Sequence, residues 1–166
     1  DKKAGREKSV VDFRQVVREC MDAARARHHL PPEVLRYEEA SSNGEGMRVL
    51  GSAEDLHTAV FNVLDNAIKY SGETVDVRVR LDTPDEKRVV LSVQDQGVGI
   101  PPDDLKSIFK RFYRVSHRSL AHAKGTGLGL FIVKAIARKH GGKVFAESGG
   151  EGEGATITIE LPRSEA

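Results

Sequence analysis

Residues 52–71 read SAEDLHTAVFNVLDNAIKYS, and the spacing of their apolar side chains decides how the rest of the chain must be arranged. Leu56, Ala59, Val60, Val63, Leu64, Ala67 and Ile68 recur at the spacing of a helix that is buried along one side. Ser52, with Asp55 three residues on, supplies its N-cap. Asn62, Asn66 and Lys69 fall in one narrow strip at the margin of that stripe, and Tyr70 lies one step toward the apolar side. Such a strip is either a solvated flank or a ligand-facing edge. Buried amides are costly unless hydrogen-bonded, so two carboxamides and an ammonium in this position suit a bound ligand.

Working outward, 166 residues make one domain, long enough to bury roughly 70% of its unfolded surface. The 39% hydrophobic and 31% charged composition is that of a soluble globule, and a net charge of +1 points to neither nucleic acid nor an anionic membrane. Cys20 is the only cysteine; it sits on an apolar helical repeat as core filler and fits a reducing compartment. No apolar run reaches membrane-spanning length, and no signal-peptide pattern is present. Of the 16 glycines, 11 stand at or after Gly97, so the C-terminal half holds loops where backbone must approach something closely.

Before the central helix, residues 1–9 read as a linker or the end of a preceding helix, and Asp12 caps a helix running to about Arg27. Pro31 and Pro32 end that region. Val34–Glu39 and Met47–Leu50 read as two strands of a hairpin joined by Ser41–Gly46. After it, Thr74–Leu81 and Arg88–Gln94 read as strands around a Pro84-Asp85 turn, followed by a short helix near Asp103–Phe109. A helix opening in the glycines at 125–129 buries Leu128, Phe131, Ile132, Ala135 and Ile136 and stops at Gly141-Gly142. Lys143–Ser148 and Ala155–Leu161 form a last hairpin. The order α-β-β-α-β-β-α-β-β predicts an α+β fold whose mixed, mainly antiparallel sheet is covered by helices on one face.

Two glycine clusters carry chemistry. Asp95-Gln-Gly97-Val-Gly99-Ile100-Pro101 follows a strand directly, and Gly125-Thr126-Gly127-Leu128-Gly129-Leu130 opens a helix, where exposed N–H groups and the helix dipole favour phosphate. The second lacks the Lys-Ser/Thr of a P-loop and misses the dinucleotide spacing by one residue. Between them, residues 101–124 hold six Lys/Arg against two Asp/Glu, which reads as a solvated loop or as a lid over anions.

Taken together in this order, the motifs resemble those of the ATP-binding catalytic domain of sensor histidine kinases, in the GHKL superfamily of Bergerat-fold ATPases. The resemblance runs from about Asp12 to Pro162. Asn62 to Ser71 is similar to the asparagine box, and Asp95 to Pro101 to the first glycine box. Ile108-Phe109-Lys110-Arg111-Phe112-Tyr113-Arg114-Val115 is similar to the phenylalanine box, and Gly125 to Leu130 to the second glycine box. The ending from Gly152 through Thr156 to Pro162 matches the family's last hairpin.

The resemblance implies a two-layer α/β sandwich, with residues 10–163 as the catalytic domain and a lid at about 101–124. It implies that Asn66 supplies an amide oxygen to Mg²⁺ and that Asn62 orients the metal-phosphate group. Lys69 and Arg114 would offset charge on the transferring γ-phosphoryl. Gly125, Thr126, Gly127, Leu128, Gly129 and Leu130 would cradle the phosphates, while Tyr70 and Ile100 would pack on adenine. Gly97, Gly99, Tyr113 and Thr156 complete the implied nucleotide site. Asp95 would accept from adenine's exocyclic amine, where guanine presents a carbonyl, so ATP is preferred over GTP.

The implied reaction is γ-phosphoryl transfer to a histidine on another domain. The family's phosphoacceptor histidine precedes an acidic residue, and none of His28, His29, His57, His117, His122 and His140 does. The implied partners are therefore a dimerisation and phosphoacceptor domain of the parent protein and a bacterial response regulator, with no nucleic acid. The chain itself is expected to be monomeric and cytoplasmic, and the parent homodimeric and anchored in the inner membrane. Three other readings compete. ATP-hydrolysing conformational machines of the superfamily carry a glutamate base where Asn62 stands. A nucleotide-sensing module without catalysis is compatible with the motifs. A dinucleotide oxidoreductase fails on its fingerprint.

Overall fold

The chain enters through a strand not expected from the sequence, β1 (Ser9–Asp12), of which only Ser9 fell within the expected linker. In the computed structural model, which describes residues 8–41, 46–111, 113 and 129–164, Asp12 ends that strand and caps helix α1 (Phe13–His28), accepting from the Gln15 N–H. A left-handed His29 terminates α1, with the Leu30 N–H donating back to the Arg25 carbonyl; Pro31 and Pro32 only begin the next turn. Strand β2 (Leu35–Ser41) follows, then β3 (Arg48–Gly51).

These two strands are not a hairpin. β3 pairs antiparallel with β1, and β2 pairs parallel with the later strand β4 (Val77–Thr83). The turn-rich sequence between them resembles hairpin chemistry, but long-range pairing decides the register, and residues 42–45 lie outside the described residues. A parallel pair needs a crossover. That crossover contains helix α2 (Ala53–Lys69), the stripe from which the reading began. Its Leu56, Ala59, Val60, Val63, Leu64, Ala67 and Ile68 are all buried, and Ser52 caps it by accepting from the Asp55 N–H at 3.2 Å. Truncating a fully buried member such as Leu64 to alanine costs about 2–5 kcal/mol.

β5 (Arg88–Asp95), β6 (Lys143–Glu147) and β7 (Ala155–Pro162) complete a five-stranded mixed sheet in the order β2-β4-β5-β7-β6. Val77, Val79 and Leu81 alternate with exposed Arg78 and Arg80, so one face of the sheet is packed and the other open. The expected helix at 103–109 is instead two short 3-10 turns, Pro102–Asp104 and Ser107–Phe109, because few residues there repeat at helical spacing.

Helix α3 (Gly129–Lys139) buries Val133, Ile136 and Ala137, and its expected opening at 125–128 lies outside the described residues. The buried face is turned by one residue from the expected one: Phe131 and Ala135 are exposed, and Leu128 lies outside the described residues. Two tertiary ties explain the turn. Buried His140 accepts the Ser52 N–H on Nε2 at 3.1 Å while its Nδ1–H donates to the Ile136 carbonyl, and Lys139 pairs with buried Asp55 at 3.0 Å. The end of α3 is thereby locked onto the start of α2. Among the described residues no helix is long and apolar enough to cross a membrane.

Candidate nucleotide site

Asp95 is the last residue of β5 and is buried at 5% exposure, an unusual place for an ionisable group. Its Oδ1 accepts the Gly97 N–H at 2.8 Å. Burial pushes the carboxyl up to about 6, against the opposing pull of the Gly97 and Ala155 N–H groups.

The loop beyond Asp95 is pinned between two remote segments. On one side Val98 donates to the Tyr70 carbonyl at the end of α2, 3.1 Å away. On the other, Gly152 donates to the Val98 carbonyl and Gly154 to the Gly97 carbonyl, at 2.8 and 3.2 Å. Close approach explains the glycines. A Cβ at Gly97 would lie 1.8 Å from the Tyr70 carbonyl oxygen, and one at Gly99 would lie 2.0 Å from the Gly150 oxygen, at a φ of 75°.

Sequence reasoning missed the residue that ties this junction together. Ser148 Oγ accepts the Ile100 and Gly150 N–H groups at 3.0 and 3.1 Å and donates to the Gly154 carbonyl at 2.6 Å. A serine directly before a Gly-Gly pair is a turn signal that could have marked it.

The helix side of the site is built from side chains. Asn62 and Asn66 are half-buried on α2, and neither carboxamide hydrogen-bonds to another described residue. Tyr70, also half-buried, caps the end of α2, and Ile100 is buried. Lys69 does not lean toward the asparagines. Its ammonium lies 2.9 Å from Asp65 Oδ2, and Asp65 Oδ1 is held by His28 Nε2 at 2.7 Å. Burial opposes ionisation of Asp65, but the hydrogen bonds from Lys69 and His28 outweigh it and hold the carboxyl below its ordinary value.

The expected site residues therefore fall into three groups. Asp95, Gly97, Gly99, Ile100 and Tyr70 meet around the pinned loop, next to Asn66 one turn back on α2. Gly129 and half-buried Leu130 open α3, and Tyr113 gives its hydroxyl to Asp104. Thr156 is separated from the cluster: it pairs with Gln94 and Glu147, one position along from the Asp95–Ala155 pair, so it projects from the opposite face of the sheet. Arg114, Gly125, Thr126, Gly127 and Leu128, together with Phe112, lie outside the described residues.

Helices over one face of a mixed sheet, a buried carboxylate at a strand end and a close-packed glycine turn beside an asparagine-bearing helix define a GHKL-type ATPase fold. A family model described as histidine kinase-, DNA gyrase B-, and HSP90-like ATPase matches residues 51–165, and the chain belongs to that family.

Among curated relatives it is 44% identical over 105 residues to the sensor histidine kinase WalK of Bacillus subtilis, covering 63% of this chain and 17% of WalK. It is 41% identical over 120 residues to the histidine-protein kinase/phosphatase MprB of Mycolicibacterium smegmatis, covering 70% of this chain and 24% of MprB. The chain thus spans about a quarter or less of the length of these two relatives. The solved structure of a mycobacterial sensor histidine kinase MprB superposes with a TM-score of 0.75 at 32% identity, covering 94% of this chain and 97% of that one. Full-length ShkA in complex with AMPPNP gives 0.75 at 28% identity, over 96% of this chain and 32% of that one.

Proposed function

We propose that this domain binds Mg-ATP and donates the γ-phosphoryl to a histidine on a separate phosphoacceptor domain. The observation that carries the reading is the buried Asp95 beside a Gly97 packed directly on the end of α2. Together they would floor a nucleotide cleft with one carboxylate acceptor. Ionised Asp95 accepts from an exocyclic amine; a guanine carbonyl there would leave a buried acceptor facing an acceptor, a loss of about tenfold or more. Tyr70 and Ile100 supply apolar surface for the base.

The donor set fits a magnesium ion shared with phosphate. Two half-buried carboxamides stand one turn apart with no hydrogen bond to a described residue, and no cluster of three His, Cys, Asp or Glu is found among the described residues. Asn66 would ligate the ion through its amide oxygen, phosphate oxygens and waters filling the other positions, and Asn62 would orient that group. Bound there, the ion supplies neutralising charge for the phosphates. Lys69 and Arg114 would place positive charge against the transferring group, and the N–H groups of residues 125–129 would cradle the phosphates. Asn62 is a poor base for water, which favours transfer over hydrolysis.

The same reading gives the domain a place in a longer, homodimeric sensor whose dimerisation domain carries the accepting histidine and whose product serves a response regulator. The domain itself would be a monomer on the cytoplasmic side of an inner membrane that anchors the parent.

Calorimetric titration with a non-hydrolysable ATP analogue, with and without Mg²⁺ and against the GTP analogue, tests the site. Micromolar, adenine-selective and Mg²⁺-dependent binding is expected. Binding indifferent to the base would remove Asp95 from its role, and no binding even with the phosphoacceptor domain restored would remove the nucleotide reading.

A further inference from the structure

The Lys69 ammonium has two destinations. A long side chain on a helix reaches back toward the preceding turn, where residues three and four positions earlier stand side by side. For Lys69 these are Asn66, on the side of the cleft, and Asp65, on the side of α1. In the structure the ammonium takes Asp65.

Asp65 is itself fixed from outside α2. His28, the last residue of α1, donates from Nε2 to Asp65 Oδ1, because a carboxylate only accepts. Each carboxylate oxygen has one partner, and the Asp65 side chain is 15% exposed against 35% for Lys69. The partner that can leave is therefore Lys69: its stem is long and more exposed, whereas Asp65 is short and clamped between two helices.

We propose that Asp65, clamped by His28, is a positioning residue that parks the Lys69 ammonium away from the cleft until the terminal phosphoryl of a nucleoside triphosphate competes for it. The inference rests on the nucleotide reading of the cleft and adds a discrimination between triphosphate and diphosphate. Only a ligand with a phosphoryl in reach of Lys69 recovers the lost pair, so release of the diphosphate product coincides with return of Lys69 to Asp65. An ion pair four residues apart on a helix is weak enough for such an exchange.

Two measurements test this. In the nucleotide-free domain, a double-mutant cycle of Lys69→Met and Asp65→Asn on unfolding stability should show favourable coupling that shrinks when His28→Gln is added. Absence of coupling would overturn the proposal whether or not nucleotide binds. Second, the ratio of diphosphate to triphosphate-analogue Kd should rise about threefold in Asp65→Asn, where Lys69 is released. In a Lys69→Met background the same substitution should change the ratio little. An undiminished effect there would make Asp65 a plain repulsive charge and sink the parking role, as would no effect in either background. A domain with the expected Lys69–Asp65 coupling that binds no triphosphate would remove the nucleotide reading, and the competition with it.

Discussion

The two sides of the cleft are made differently. The side proposed to lie beneath the base is backbone: Tyr70, Gly97, Val98, Gly152 and Gly154 are joined by main-chain hydrogen bonds, and no space remains for a β-carbon at Gly97 or Gly99. The α2 side is made of side chains, Asn62, Asn66 and Lys69, which can change rotamer without disturbing the helix that carries them. A backbone wall reads the shape of a base with little reorganisation, whereas a fringe of amide and ammonium groups can follow a phosphate as its charge moves. On the proposed reading, selectivity and chemistry would thereby fall to parts of different stiffness.

The largest effect should come from breaking the stiff side. Gly97→Ala forces a Cβ into the Tyr70 carbonyl, so a loss of about 3–4 kcal/mol and a Tm lower by roughly 10 °C are expected, along with loss of nucleotide binding. Scanning calorimetry and titration of the same sample check both.

Asp95→Asn should sharpen the contrast by trading selectivity for stability. The Asp95 carboxyl is raised to about 6 in the folded protein, above its unfolded value near 3.8, so the native state holds that proton more tightly. Its burial is harmless below about pH 4 and progressively destabilising as pH rises to 6, by about 3 kcal/mol at the plateau. The amide variant should be more stable than the parent at pH 8, should lose that difference below pH 4, and should bind adenine nucleotide more weakly. Denaturant unfolding at several pH values follows the first two. In the parent, adenine affinity should fall as pH drops through 6, since the protonated carboxyl gives up acceptor capacity.

A smaller stability change is expected on the flexible side. Asn66→Ala should abolish the Mg²⁺ dependence of binding while moving unfolding stability by less than about 1 kcal/mol. Unchanged Mg²⁺ dependence would remove Asn66 from the metal site. Thr156→Val should do least: it lies on the other face of the sheet, so titrations should match the parent within error.

Much of this was legible because local pattern and tertiary role agree. The α2 stripe, the Asp12 and Ser52 caps, the alternation of β4 and the Asp95–Gly97 turn are each written within a few residues. The failures share another cause. The pairing of β2 with β4, and of β1 with β3, depends on strands 40 residues apart, which no local signal encodes. The buried face of α3 is set by Ser52 and Asp55, more than 80 residues upstream. Thr156 belongs to a motif, but strand parity rather than motif membership decides which face it meets. Ser148, too, takes its importance from partners in two other segments.

β7, at residues 155–162, sits between β5 and β6 rather than at an edge, and Gly154 just before it closes the glycine turn on Gly97. During synthesis, therefore, Asp95 and the end of α2 are present some 60 residues before the segment that closes the glycine turn emerges. A ribosome stalled before Gly154 would carry a chain with its carboxylate placed, β5 unpaired along one side and no competent site. On the proposed nucleotide reading, ligand would stabilise this domain only after translation has passed that point, so that its binding would report on completed synthesis rather than aid early folding.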